Sequence, residues 1–337
     1  MARLFKVGIS GAGVIGATHA EALSHLDNVR LVAVAEPREA AGKAFVEKWG
    51  GTHYTSYPDM LAKADIDLVV VATPSGLHPD QVILAAQHGK HVITEKPMAI
   101  TKEGLDHMIQ AVDDAGVKLA VIFQNRLSTD VVRVKRALEQ GAFGKPILAN
   151  GTMYWHRTQE YYDANGGWRG TWALDGGGAL MNQAIHTIDQ LQWLMGGVQE
   201  IKAFTGTLNH EIETEDVAAA AFIFSNGALG TLAATTCSLD DQGPRIEIIG
   251  TTGRVTLRAN IITEWVSDCS HDDIALTEHD HALVDDWRAD EPWVMGHQRQ
   301  LRAIFDAIEN NEQPYVAGGE ARAAVDVILR IYQDANG

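Results

Sequence analysis

Lys96, Asn182 and His186 are the residues whose types and settings point to chemistry. Lys96 follows residues 91–94, a short apolar run that reads as a buried strand, with Glu95 before it and Pro97 closing it. Open parallel sheets bind ligands outside the carboxyl ends of their strands, which would put this lysine where cofactor and substrate meet. Asn182 and His186 lie four apart in a segment opened by Gly176, Gly177 and Gly178. Three glycines suit a helix start that approaches something closely. Helical spacing places Asn182 and His186 on one face, with Asp189 three further along, while Leu180, Ala184, Ile188 and Leu191 form the packed side. An amide and an imidazole on one polar face suit a substrate hydroxyl, one to position it and one to accept its proton.

These groups need a frame that also holds a cofactor. Residues 5–10 read as a strand, residues 17–26 as a helix, and between them stands Gly11-Ala12-Gly13-Val14-Ile15-Gly16. A strand, a G-x-G-x-x-G turn and a helix in that order are the setting of a dinucleotide site. Gly11 permits the tight turn, Gly13 lets the backbone approach a pyrophosphate, and Gly16 lets helix and strand pack. The anion would rest on amides at the helix N-terminus. A second strand, residues 29–35, ends in Glu36. An acidic side chain at this separation accepts both ribose hydroxyls of NAD and repels a 2′-phosphate. Arg38 is a natural phosphate fork, so the expected cofactor is NAD, with NADP tolerated.

Strand and helix alternate up to residue 123. Residues 67–72 form a continuous apolar run, as a strand buried on both faces requires, and residues 117–123 read as another. This predicts a doubly wound parallel sheet. The pattern then changes: a helix at 128–141, an alternating strand at 145–156, and six strand-like runs between 198 and 266 separated by turns. Asn226-Gly227 is a hairpin signal. Consecutive strands on short turns imply an antiparallel sheet. The fold class is therefore α/β plus α+β, with a Rossmann domain at 1–123 and a substrate and oligomerisation domain at 124–337. Residues 267–287, acidic and holding His271, His279 and His281, read as a solvated excursion without metal-ligand spacing. Helices at 298–310 and 320–334 close the chain. Between residues 154 and 172, Tyr154, Trp155, Tyr161, Tyr162, Trp168 and Trp172 mix with Arg157 and Arg169. Rings and planar guanidinium groups together suit a polyhydroxylated ring; Tyr154, Arg157, Trp168 and Arg169 are the substrate candidates.

Composition narrows the partners. The 337 residues are 46% hydrophobic and 21% charged, ordinary for a globular chain of two domains. A formal charge of −17 argues against nucleic acid or an anionic membrane. The opening residues read as a strand and not a signal peptide, and no stretch reaches the roughly 20 apolar residues of a membrane span. Cys237 and Cys269 offer neither a disulfide framework nor a metal spacing, which fits the cytoplasm.

The glycine turn at 11–16, Glu95-Lys96-Pro97, and Gly176-Gly177-Gly178 leading to His186 and Asp189 together resemble the Gfo/Idh/MocA oxidoreductases, a family that includes inositol and sugar dehydrogenases. The resemblance covers nearly the whole chain. It implies an N-terminal Rossmann domain, a C-terminal domain with an open-faced sheet, and a homodimer or homotetramer built through that sheet. It assigns Lys96 to the reacting hydroxyl and His186 to acid/base work, and places Thr73, Pro74, Glu95 and Gln124 near the cofactor, with Asn125-Arg126 and Trp168-Arg169 at the cleft. His78 at the next helix start and Lys96 itself join the cofactor candidates. The Lys96-Pro97 bond is expected to be cis. Asn182 falls where many members carry aspartate, which leaves it positioning the hydroxyl without taking a proton. The implied reaction is hydride transfer from a ring hydroxyl of a sugar or cyclitol to NAD. Two alternatives keep the fold: an NAD-dependent glycoside hydrolase, and a non-catalytic NAD(H) sensor, against which Lys96 and His186 speak.

Overall fold

A computed structural model describes residues 3–284 and 294–336. The chain packs as two units, Met1–Gln124 with Glu291–Arg322, and Asn125–Asp290 with Ala323–Gly337. The sequence-based division at 123 thus changes in one respect. By packing, Glu291–Arg322 belongs to the first unit, an interruption that motif order along the chain does not reveal.

The first unit is built on six parallel strands: β1 (Phe5–Ser10), β2 (Val29–Ala35), β3 (Thr52–Tyr54), β4 (Leu68–Val71), β5 (His91–Thr94) and β6 (Leu119–Val121). Its helices are α1 (Val14–Ser24), α2 (Glu39–Trp49), α3 (Tyr57–Lys63), α4 (His78–Gln87) and α5 (Lys102–Ala115). The strand order is β3-β2-β1-β4-β5-β6. Strand order reverses between β1 and β4, so the crevice at their carboxyl ends is the ligand position of such a sheet. All four residues of β4 are buried, the reason the strand is an unbroken Leu-Val-Val-Val.

The second unit opens with α6 (Thr129–Glu139), β7 (Pro146–His156), α7 (Gln159–Gly167) and α8 (Ile185–Met195). Then come β8 (Val198–Gly206), β9 (Val217–Phe224), β10 (Leu229–Thr235), β11 (Cys237–Gly250), β12 (Arg254–Arg258), β13 (Ile261–Val266) and α9 (Glu278–Val284). These strands form one sheet in the order β13-β12-β11-β7-β10-β9-β8, antiparallel except where β10 runs parallel to β7. Gly227, with φ of 84°, closes the β9–β10 hairpin at the Asn226-Gly227 pair. Helix α8 lies on one face, where the Cα of Gly151 leaves room for Leu191 and Thr187.

Two helices complete the chain, α10 (Val294–Glu309) and α11 (Gly318–Asn336). In the first unit's core, Leu301, Ile304, Phe305 and Ile308 of α10 cluster with Phe5, Val7, Ala20 and Leu23. Gln300 caps β6, donating to the Val121 carbonyl at 2.8 Å and accepting the Phe123 amide at 3.0 Å.

The His-rich excursion is not fully solvated. Asp280 on α9 is fully buried and takes a two-pronged contact from Arg136 of α6 at 2.7 and 2.8 Å. Burial resists its charge, but Arg136 and the Thr277 amide and hydroxyl overcome this and hold the carboxyl at about 2. The last three residues of that stretch, 285–287, lie outside the described residues.

Candidate functional site

In the first unit the glycine turn does two different jobs. Gly11 has φ of 100°, and a Cβ there would stand 2.6 Å from the Ala72 carbonyl oxygen. At Gly16 a Cβ would collide with the Gly11 carbonyl. Both glycines are therefore dictated by the fold. Gly13 is not: its φ is −78° and a Cβ would meet nothing within 4 Å. It is the N-cap of α1 without a side-chain cap, and the neighbouring Val14 is 78% exposed. Open space before uncapped helix amides fits a pyrophosphate. Gly13→Val should leave the melting temperature within a degree or so, as for a surface change, yet weaken NAD binding at least about tenfold by filling that space. Calorimetry and a thermal melt on the same sample check both halves.

Glu36, at the end of β2, is 4% exposed and accepts the Ala12 amide at 3.0 Å. Arg38 supplies its Nε at 2.8 Å and its backbone amide at 3.1 Å. Burial works against the charge, but these donors prevail and keep the carboxyl below its ordinary value. An anion thus sits against the turn, and Arg38 is drawn onto it.

The Lys96 end is braced from behind. The Lys96-Pro97 peptide is cis. His78, 1% exposed, spans two loops, with Nδ1 at 2.8 Å from the Pro97 carbonyl and Nε2 at 2.9 Å from that of Thr73. Burial lowers its pKa although both carbonyls favour the proton. Thr73 and its neighbour Pro74 abut the turn, the Thr73 methyl lying 3.3 Å from a Cβ built on Gly11. His78 is thus a strut between strand ends. Glu95 is buried between two imidazoles, His19 Nε2 of α1 at 2.8 Å and His297 Nε2 of α10 at 3.6 Å, and accepts the Lys96 amide at 3.2 Å. Burial resists the charge of Glu95 and is overcome by the two histidines, so its carboxyl lies well below the ordinary range. Burial likewise lowers His19, and a neutral ring donating from Nε2 satisfies both. Gln124 Oε1 is buried with no hydrogen-bond partner among the described residues. His19 and His297 escape sequence reading because neither neighbours Glu95 along the chain.

In the second unit the three-glycine segment opens as a π turn, Ala179–Ala184, that runs into α8. The Asn182 amide group donates to Asp175 at 2.6 Å, and its oxygen accepts Gln183 at 2.9 Å. Gln183 also donates to the Tyr161 hydroxyl at 2.7 Å and accepts from Arg157 at 3.1 Å. The guanidinium carbons of Arg157 and Arg169 stand 5.4 and 4.7 Å from the Tyr161 ring centre, and 4.9 and 4.8 Å from those of Trp155 and Trp168. The structure therefore gathers Arg157, Trp168 and Arg169 into one ladder that reaches Asn182. Asp175 and Tyr161 are further members; an acidic residue just before three glycines is the one signal for Asp175 in the sequence.

Three sequence-based readings change. Arg126 is 1% exposed and its guanidinium grips Asp189 at 2.6 and 2.7 Å, so both are an internal ion pair and neither joins the polar face of α8. Such a pair is kept because losing one partner strands a buried charge, at about 3–5 kcal/mol. Tyr154 sits at the wrong parity: Gly151 faces α8, Trp155 and Arg157 share its side, and Tyr154 points to the open face of the sheet beside Gln242 and Arg245.

Residues 5–123 match the oxidoreductase family's NAD-binding Rossmann fold, and residues 131–256 match the GFO/IDH/MocA C-terminal domain. The chain belongs to the Gfo/Idh/MocA family. It is an NAD-dependent oxidoreductase, and the open space before the α1 amides and the acidic Glu36 suit that cofactor. The WlbA dehydrogenase of Bordetella pertussis, solved with NADH and UDP-GlcNAcA, is 36% identical over 100% of this chain and 97% of its own, with a TM-score of 0.92. A myo-inositol 2-dehydrogenase of Thermotoga maritima is 26% identical over 95% of this chain and 93% of its own. The NAD-dependent scyllo-inositol 2-dehydrogenase of Bacillus subtilis is 29% identical over 77% and 76%. Against the family pattern, Asn182 has a physical reason. An aspartate there would face the Asp175 carboxylate, and two such groups at this distance cannot both ionise.

Proposed function

We propose that this family member oxidises a secondary ring hydroxyl of an anionic, nucleotide-linked sugar, with NAD as acceptor. The observation that carries the substrate class is the Arg157–Tyr161–Arg169 ladder beside Gln183 and Asn182. Arg157 is already met by Asp241 at 3.3 Å, whereas the planar Arg169 guanidinium offers a forked contact to a carboxylate or phosphate, and the rings beside it suit a sugar face. The uncharged hydroxyls of a free cyclitol would give Arg169 no anion to meet. The higher identity to WlbA, whose solved ligand is a nucleotide-linked uronate, supports the same choice.

When bound, NAD takes the hydride. His186 removes the hydroxyl proton, and the Lys96 ammonium donates to the oxygen as negative charge grows there. Asn182, its amide fixed by Asp175, holds the hydroxyl or a neighbouring one in register. Glu36 favours NAD over NADP by repelling a 2′-phosphate. Assembly into a homo-oligomer through the open sheet face fits Phe204, an aromatic 82% exposed on β8.

The test is NADH formation with a UDP-linked N-acetylated uronate, its uncharged parent, myo-inositol and levoglucosan. Net NADH is expected with the uronate, and Arg157→Ala or Arg169→Ala should raise its KM roughly tenfold or more, the worth of one hydrogen bond to a charged group. Turnover of myo-inositol with none of the uronate would overturn the substrate class. Cleavage without net NADH would instead mark a hydrolase.

A further inference from the structure

Behind the turn that carries Asn182 and runs into α8 with His186 lies a carboxylate with no part in the steps above. Glu215 is 4% exposed and directly precedes Asp216 at the start of β9. Its Oε1 accepts the Leu180 amide at 2.8 Å, and its two oxygens accept the Gly178 amide at 3.3 and 3.2 Å. The Tyr332 hydroxyl of α11 donates to Oε1 at 2.9 Å. The backbone carbonyl of the same residue accepts the Ala179 amide at 2.9 Å. Three successive amides, 178 to 180, thus end on one residue. The glycines are explained by this clamp: a Cβ on Gly177 would collide with the Tyr332 hydroxyl, and one on Gly178 with the Glu215 carbonyl. First-turn amides of a helix lack partners within it, and here Glu215 supplies them for a π turn, a wide geometry that needs such support.

We propose that Glu215 is a positioning residue for the reaction: as an anion held by Tyr332, it fixes the wide first turn that carries Asn182 and leads directly into His186 on α8. This rests on the reading of His186 as the proton acceptor. The ionised carboxylate can accept all its donors at once. Protonation turns one oxygen into a donor, which cannot face an amide N–H, so one clamp contact is given up and the turn relaxes. Burial pushes Glu215 up to about 7, against the pull of the Leu180 and Gly178 amides and the Tyr332 hydroxyl. The groups that face this carboxylate are those amides and Tyr332. Burial and the Glu215 charge hold the phenol well above its ordinary value, with Asp175 adding to that effect, so it stays a donor. Wild-type kcat should therefore fall as pH drops through about 7.

The experiment is kcat against pH, with NAD affinity, for wild type, Glu215→Gln, Tyr332→Phe and His186→Ala. Glu215→Gln should show kcat lowered roughly 10–100-fold above neutrality, the cost of a small misplacement. It should also lose the share of the limb that Glu215 contributes near neutrality, which changes the limb's shape, and keep its NAD affinity. Tyr332→Phe, which keeps the ring and removes one donor that favours the anion, should move the limb to higher pH. A Glu215→Gln enzyme with wild-type kcat and limb overturns the proposal, as does one that melts lower but titrates unchanged. Should Glu215→Gln fail to fold, an unmoved limb in Tyr332→Phe overturns it. His186→Ala separates the two readings: an active variant sinks the acid/base assignment, whereas an inactive one beside an unaltered Glu215→Gln sinks the positioning role alone.

Discussion

Lys96→Ala lowers kcat by about 10³-fold while NAD affinity stays within a few-fold. The size follows from what is removed, a charged donor aimed at an oxygen that gains negative charge in the transition state. The selectivity follows from what is left. Glu95 is fixed by His19 and His297, and His78 ties Pro97 to Thr73. None of these contacts uses the lysine side chain, so they remain when it is truncated. Lys96→Arg should recover little, because a planar fork does not replace a compact ammonium at one oxygen. Steady-state kcat with calorimetric NAD binding measures both quantities. A variant within tenfold of wild type would remove Lys96 from the chemistry.

The second large effect is His186→Ala, about 10³-fold in kcat. Its dependence on pH is as informative as its size. Without an imidazole the proton passes to solvent, so the residual rate should rise with pH where the wild type has levelled. NAD affinity should again hold, since the residues fitted to NAD all lie in the first unit and His186 in the second. A residual rate flat in pH and above a tenth of wild type would exclude a base at this position. Asn182 cannot stand in for it, because an amide takes no proton and this one is committed to Asp175 and Gln183.

What could be read from the sequence was whatever sits in a local pattern. The unbroken apolar run that became β4, the glycine turn, the Glu95-Lys96-Pro97 end of β5 and the alternation along β7 each carry their structure within a few residues. The strand register of Tyr154 was equally local and was missed because aromatic content outweighed parity; counting from Gly151 separates it from Trp155 and Arg157. Other features had no local trace. Asp189 is met by Arg126 from 63 positions away, and Glu215 by Tyr332 from 117. A carboxylate in either place looks like any other acidic residue until its partner is known. The stretch 267–287 reads as solvated from its charges, and only the Arg136 contact shows that Asp280 carries one of them inward.

The place of α10 bears on how the protein is made. Its Leu301, Ile304 and Phe305 fill out the core that Phe5, Val7 and Leu23 begin. A ribosome delivers the opening strands first and this helix only after the larger part of the second unit has emerged. Until then the nascent cofactor unit keeps an apolar face of α1 uncovered, a surface for chaperones and proteases to read. Chains broken off in the second unit ahead of α10 retain the complete glycine turn yet leave that face bare. A finished nucleotide site is thus a mark that synthesis has passed α10, and NAD is bound in its final setting by chains that reached that point.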